Sequence, residues 1–161
     1  PHTSNWDFIY AVAALDILKI NIRFTIKKEL NTFPIGGAIS SMGALWIDRT
    51  PRPGLSKKES MTATMAAFFS DPNEAPLAML VTAEGTRSRV DRWKTGFYHT
   101  ALQAKVPICL YYLDYQKKEA GIAQCFMPSG DLKKDMQLIM DFYRVSHPKF
   151  PENFALDKRY S

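Results

Sequence analysis

Two residues near the beginning of the chain, His2 and Asp7, combine a base with a carboxylate that could orient it. Residues five apart in one helix lie ~140° round its axis, so a contact between them requires His2 to lie outside the helix. We predict that His2 lies in a turn folding back over a helix start, with Asp7 in the first turn, where the helix dipole favours a carboxylate. Asp7 would then fix one ring nitrogen and leave the other free as a base. A surface histidine beside a capped helix start would show the same spacing.

The sequence offers this pair no obvious protein nucleophile. Thr3 and Ser4 are explained as capping residues, and no Gly-x-Ser-x-Gly elbow is present. A His–Asp pair of this kind indicates a base acting on a hydroxyl of the substrate, whose alcohol would attack an activated acyl group directly. His99 and His147 lack partners at metal-ligand spacing, so we predict no metal site.

Two arginines follow apolar segments that are typical of strands. Arg49 follows Trp46-Ile47-Asp48, and Arg87 ends the segment Glu84-Gly85-Thr86-Arg87. Guanidinium groups at strand ends suit bidentate binding of phosphate, and Gly85 lets the backbone approach a ligand. An ion pair with Asp48 is the alternative for Arg49, and an ordinary turn is the alternative for the second segment.

Basic residues continue after this segment and surround Trp93. Three interpretations stay open: a solvated surface loop, a nucleic-acid patch, or a docking surface for an anionic cofactor or lipid. No nucleic-acid-binding signature accompanies the loop, so we expect no nucleic-acid partner. The basic residues are Arg87, Arg89, Arg92 and Lys94.

Apolar periodicity and capping signals predict alternating helices and strands. The predicted helices are 5–18, 33–42, 56–69, 97–104 and 131–145, and the predicted strands are 20–26, 44–48, 77–82, 106–112 and 122–127. We expect strand 77–82 to be buried and strand 106–112 to be central. This order is typical of one α/β domain, 1–161, with a mainly parallel central sheet flanked by helices and an irregular tail at 146–161. Ligands bind beyond the carboxyl ends of such strands, where His2, Arg49 and Arg87 would meet. Because no strand precedes His2, we expect an N-terminal strand to be missing from this sequence.

The composition fits a folded domain. Of 161 residues, 46% are hydrophobic and 23% are charged, and no apolar run approaches the ~18 residues of a membrane span. The formal charge of +5 suits nucleic acid, an anionic membrane surface or phosphorylated ligands. Cys109 and Cys125 lie in apolar segments, so we expect buried free thiols in a reducing cytosol.

With these residues in hand, the chain resembles the glycerolipid acyltransferase superfamily, and specifically the 1-acylglycerol-3-phosphate acyltransferases. Four blocks appear in the order typical of that family, and the likeness extends to about Arg144. The blocks are His2-Thr3-Ser4-Asn5-Trp6-Asp7, Gly43-Ala44-Leu45-Trp46-Ile47-Asp48-Arg49, Thr82-Ala83-Glu84-Gly85-Thr86-Arg87-Ser88 and Val106-Pro107-Ile108. Thr82-Ala83 stands where the family usually has Phe-Pro, which would alter the rigidity of that turn.

The resemblance implies a role for each block. His2 would be the catalytic base and Asp7 its orienting partner. Acyl-CoA or acyl-carrier protein would be the acyl donor and a lysophosphatidic-acid-like lipid the acceptor, with no further cofactor. Backbone N–H groups near Gly85 would stabilise the oxyanion. The phosphate-binding residues would be Arg49, Arg87 and Lys28, with Glu84, Gly85 and Thr86 shaping that site, while Pro107 and Ile108 would line the acyl side or simply pack in the core.

The resemblance also implies a setting for the protein. The chain looks like a compact soluble or peripheral bacterial member, so we expect a cytoplasmic protein in contact with the anionic inner face of the cell membrane. A non-catalytic lipid- or acyl-binding protein and an acyl-thioester hydrolase are the alternatives on the same fold.

Overall fold

A computed structural model describes residues 1–27, 37, 40–41, 43–47, 57–71 and 76–161 of the chain. Within these residues no helix is long and apolar enough to cross a membrane. The helices and strands follow the predicted α/β order. They are α1 (Asn5–Ile17), β1 (Ile22–Lys27), β2 (Ala44–Ile47), α2 (Lys57–Phe68), β3 (Ala78–Leu80), α3 (Gly96–Ala104), β4 (Ile108–Asp114), β5 (Glu119–Phe126) and α4 (Leu132–Tyr143).

The first three strands form a parallel sheet in the order β2-β1-β3. Phe24 lies at the centre, opposite Ala44 of β2 and Leu80 of β3. The helices flank this sheet, and α2 packs against α3. The parallel α/β class predicted from the sequence is therefore confirmed. The prediction of a buried strand at 77–82 was wrong in two respects. The strand is shorter, since only Ala78–Leu80 pair with β1, and it is not buried, since Ala78 is exposed.

The last two strands form a separate antiparallel hairpin, β4-β5. The prediction that 106–112 is a central strand was therefore wrong, since among the described strands β4 pairs only with β5. Cys109 lies directly opposite Cys125, and the two form a disulfide. The prediction of buried free thiols was also wrong: both residues are exposed, and their sulfurs are bonded to each other.

The core lies where α3, β4 and α4 pack together. Apolar residues recur every three or four positions along α4, and Asp131 caps that helix by accepting a hydrogen bond from the Lys134 N–H at 3.1 Å. Trp93 belongs to this core and donates its indole N–H to the Ala155 carbonyl at 3.0 Å, so it is not a surface aromatic of the basic loop. The largest members of the core are Trp93, Tyr98, Leu110, Met136, Ile139 and Met140.

The tail after α4 contains a short 3₁₀ helix, Pro151–Asn153, and then packs onto the core. Asp157 is completely buried and accepts a hydrogen bond from the Trp93 backbone N–H at 2.8 Å. Arg159 donates to the same carboxylate, with its Nη2 2.6 Å from Asp157 Oδ2, and also to the Trp93 carbonyl at 2.8 Å. The tail is thus attached to the loop that carries the basic residues.

Candidate active site

The first turn of α1 is closed by a capping box. Ser4 is the N-cap, and its Oγ accepts a hydrogen bond from the Trp6 N–H at 3.2 Å. In return, Asp7 Oδ2 accepts hydrogen bonds from the N–H groups of Ser4 at 2.7 Å and Thr3 at 2.6 Å. These bonds satisfy backbone donors that the helix itself leaves unpaired. The prediction that Asp7 lies in the first turn is confirmed.

His2 lies outside the helix, in the turn that precedes it, as predicted. Its Nδ1 is 3.6 Å from Asp7 Oδ2, just beyond hydrogen-bond length. Such contacts are often long without substrate and shorten when the reacting complex forms. The side chain is only 19% exposed. Because Nδ1 faces the carboxylate, Nε2 is the ring nitrogen that remains for a substrate proton.

The electrostatics of Asp7 favour its charged form. Burial raises the pKa of Asp7. The nearby His2 side chain and the hydrogen bonds from the Tyr115 hydroxyl and from the Ser4 and Thr3 backbone N–H groups together outweigh burial and hold the pKa below its usual value. Asp7 is therefore ionised at neutral pH and can favour an imidazolium beside it.

Tyr115 is a member of this site that sequence reasoning missed. Its hydroxyl donates a hydrogen bond to Asp7 Oδ1 at 2.6 Å, leaving Oδ2 for His2. Tyr115 directly follows β4, so its place at a strand end is a signal that could have found it. It was missed because Asp7 is 108 residues away in the sequence.

The segment after β3 forms a tight turn without proline. The Gly85 N–H donates to the Thr82 carbonyl at 3.1 Å, and the Lys94 N–H donates to the Ala83 carbonyl at 2.8 Å. These two bonds hold the turn at Thr82-Ala83, the position where the family usually has Phe-Pro. Gly85 has φ +68°, a conformation that favours glycine, and a Cβ there would also force the flexible end of the Lys94 side chain to shift. The Gly85 N–H itself closes the turn, and an oxyanion role for neighbouring N–H groups stays a prediction.

Two contacts join this turn to the beginning of the chain. Glu84 Oε1 accepts a hydrogen bond from the His2 backbone N–H at 2.9 Å. The exposed Arg87 guanidinium donates to the side-chain oxygen of Asn5. Thr86 Oγ1 stays within the turn and accepts from the Ser88 N–H at 3.3 Å. The structure therefore brings the histidine and arginine segments together, as predicted.

Three other predicted residues have different outcomes. Lys28 and Arg49 lie outside the described residues, as do Asp48 and most of the predicted helix 33–42. Pro107 is exposed at the start of β4, and the adjacent Ile108 is buried. Both line the same cavity as His2.

This cavity has a volume of about 410 Å³ and lies between residues of β3 and β4, which belong to different sheets. Its lining is mostly apolar, with His2, Asp7 and Glu84 among the polar exceptions. Apolar residues that line it include Phe8, Leu77, Met79, Val81, Phe97, Val106, Ile108, Leu110, Leu113 and Ile122.

The side chains next to His2 supply no reactive protein nucleophile among the residues that the structure describes. Ser4 and Thr3 are buried, with Ser4 Oγ capping α1 and Thr3 Oγ1 accepting from the Phe150 N–H at 3.3 Å. Cys109 lines the cavity, but its sulfur is in the disulfide. In the described ranges, no three His, Cys, Asp or Glu side chains cluster to hold a metal ion.

Comparison with known proteins identifies the family. The family model named Acyltransferase matches residues 1–112, a stretch that includes His2, Asp7 and the turn at Gly85 and ends within β4. The match is shorter than the likeness to Arg144 inferred from the sequence. No curated protein and no solved structure matches the chain. Since the matched residues are more than half of the sequence, the chain belongs to the acyltransferase family.

Proposed function

We propose that the protein transfers a fatty acyl group from acyl-CoA or acyl-carrier protein to the hydroxyl of a lysophosphatidic-acid-like acceptor, a step of phospholipid synthesis. The observation that carries this proposal is the His2–Asp7 pair, which lies beside an apolar cavity, and the described part of the chain places no reactive nucleophile next to it. A base in that position has an external hydroxyl as its partner.

The reaction follows from the orientation of the imidazole. His2 Nε2 takes the proton of the acceptor hydroxyl while Asp7 stabilises the resulting imidazolium. The acceptor oxygen attacks the thioester carbonyl and forms a tetrahedral intermediate. Its collapse breaks the carbon–sulfur bond, and the departing thiolate receives the proton from His2. The products are the new ester and the free thiol.

The acceptor phosphate binds at the turn after β3. Among the described cations we assign this role to Arg87, since it is exposed and lies beside Asn5 in the first turn of α1. Glu84 and Gly85 shape the site by holding the His2 backbone and closing the turn. Thr86, Lys28 and Arg49 complete the proposed phosphate-binding set.

The acyl chain enters the apolar cavity, with Pro107 and Ile108 on its wall. Each methylene group removed from water contributes roughly 0.8 kcal/mol, so such a cavity favours a long chain over a short one.

The acceptor reaches the site from an anionic membrane surface. Along α1, Trp6, Ile9 and Tyr10 are exposed in the first turns, and Ile17 is exposed at the end of the helix. The Lys149 ammonium lies 5.4 Å from the centroid of the Trp6 ring. Tryptophan, tyrosine and lysine are side chains that favour the headgroup region of a bilayer, where lysophospholipids are found.

The experiment that tests this function is release of free thiol from acyl-CoA or acyl-carrier protein, with and without lysophosphatidate in anionic vesicles. We expect release only with acceptor, together with sedimentation of the protein with these vesicles. Equal release without acceptor would identify a thioester hydrolase, and binding without any release would identify a non-catalytic acyl-binding protein. Activity without vesicle binding would refute only the proposed membrane contact and leave the proposed reaction in place.

Replacing Arg87 by alanine should selectively impair the use of phosphorylated acceptors. A hydrogen bond between charged groups contributes ~1.5–3 kcal/mol, so we expect KM for lysophosphatidate to rise roughly 10- to 100-fold. KM for a monoacylglycerol without phosphate should stay near its original value. Arg92→Ala is the matched control, because Arg92 is also exposed in the same loop. An equal loss with both acceptors would assign Arg87 a structural role through Asn5.

A further inference from the structure

We infer that Tyr115 is a positioning residue for the base: its phenol fixes the Asp7 carboxylate so that one oxygen is directed at His2. This inference rests on the proposed function of His2 and Asp7. The two oxygens of Asp7 have different partners, since Oδ1 accepts from the Tyr115 hydroxyl at 2.6 Å and Oδ2 faces the imidazole and the backbone of the first turn. A carboxylate held at both oxygens cannot rotate away from the histidine.

The phenol is suited to remain a donor. Burial and the neighbouring Asp7 carboxylate raise the pKa of Tyr115 well above its ordinary value, so the hydroxyl keeps its proton throughout the neutral range. Donation at 2.6 Å to an ionised carboxylate is a short, charge-assisted hydrogen bond, which is stronger and more directional than a neutral one.

Tyr115 is itself held from two sides. Its backbone N–H donates to the His147 carbonyl at 2.9 Å, and its ring meets the Tyr10 ring edge to face, with centroids 6.1 Å apart. His147 Nδ1 lies 2.9 Å from Asp114 Oδ2, which fastens the end of β4 to the loop after α4. The same loop returns to the site through the hydrogen bond from Phe150 to Thr3. The hydroxyl position is thus set by the second sheet and the tail together.

The test is the Tyr115→Phe variant, which removes one hydroxyl and keeps the ring that packs on Tyr10. We expect kcat to fall roughly 10- to 100-fold, as for a misplaced catalytic group, with KM for both substrates unchanged. Tyr112→Phe is the matched control: that ring lies against Gly121 in the hairpin.

A double-mutant comparison separates failure of this inference from failure of the proposed function. In an Asp7→Ala background, Tyr115→Phe should cause no further loss, because a positioning residue acts only through its partner. A full additional loss in that background, or wild-type kcat in the single variant, would overturn the inference. If His2→Ala and Asp7→Ala both keep full activity, the proposed function itself fails. Unchanged melting temperatures for the Tyr115→Phe and Tyr112→Phe proteins establish that folding is intact.

Discussion

Replacing His2 by alanine should lower acyl transfer roughly 10²- to 10⁴-fold, the usual contribution of a general base. The described neighbourhood of His2 offers no second imidazole, since His99 lies in α3 and His147 pairs with Asp114 outside the cavity. Substrate binding should change little, because the proposed acyl site is the cavity wall and the proposed phosphate site is the turn at Gly85. The measurement is kcat and KM from thiol release with lysophosphatidate.

The matched control is His99→Gln, which changes the same residue type on α3. We expect it to keep wild-type kcat. If the His2→Ala protein keeps the wild-type rate, His2 is not the general base and the proposed mechanism is wrong. Loss of vesicle binding in that variant would show instead that the substitution disturbs the start of α1.

Replacing Asp157 by alanine should destabilise the fold by about 3 kcal/mol, the lower range for breaking a buried, hydrogen-bonded ion pair. The carboxylate is completely buried, and its loss leaves the Trp93 N–H without an acceptor and Arg159 without its ion-pair partner. The measurement is the free energy of unfolding by urea at neutral pH. Asp91→Ala is the control, since its pair with Lys158 is exposed and should change stability little.

The contribution of Asp157 to the free energy of unfolding should decrease at acidic pH. Burial raises the pKa of Asp157, but hydrogen bonds from the Arg159 side chain and backbone and from the Trp93 backbone outweigh it and hold the pKa below its usual value. A group with a depressed folded pKa stabilises the protein fully above its unfolded pKa of about 4, and this stabilisation is lost as the pH falls through the folded value. The stability difference between wild type and variant should therefore be constant near pH 7 and shrink below about pH 4. A difference that grows on acidification would contradict this assignment.

The start of α1 could be predicted because its signals are local. Ser4 as a cap, Asp7 in the first turn and His2 outside the helix all follow from rules that act over a few residues. The contact between His2 and the Glu84 segment was also predictable, because functional residues gather at the carboxyl edge of a parallel sheet. The two segments are 82 residues apart and still form a hydrogen bond.

Other features could not be predicted because they depend on pairing across long distances. The apolar run from Leu77 to Thr82 is consistent with a strand, but only tertiary contacts determine that three of its residues pair with β1. The pattern of 106–112 likewise predicts a strand without showing that its partner is β5, and the Cys109–Cys125 bond follows from that register. Tyr115 gives no local sign of the carboxylate that it will contact.

The double use of Asp7 links the assembly of the base to the folding of α1. The carboxylate that accepts the N–H groups of Thr3 and Ser4 is the one that faces the His2 imidazole. Fraying of the first helical turn would release Asp7 and separate the two proposed catalytic groups at once. Opening of this single turn should therefore abolish activity even where the rest of the fold stays intact.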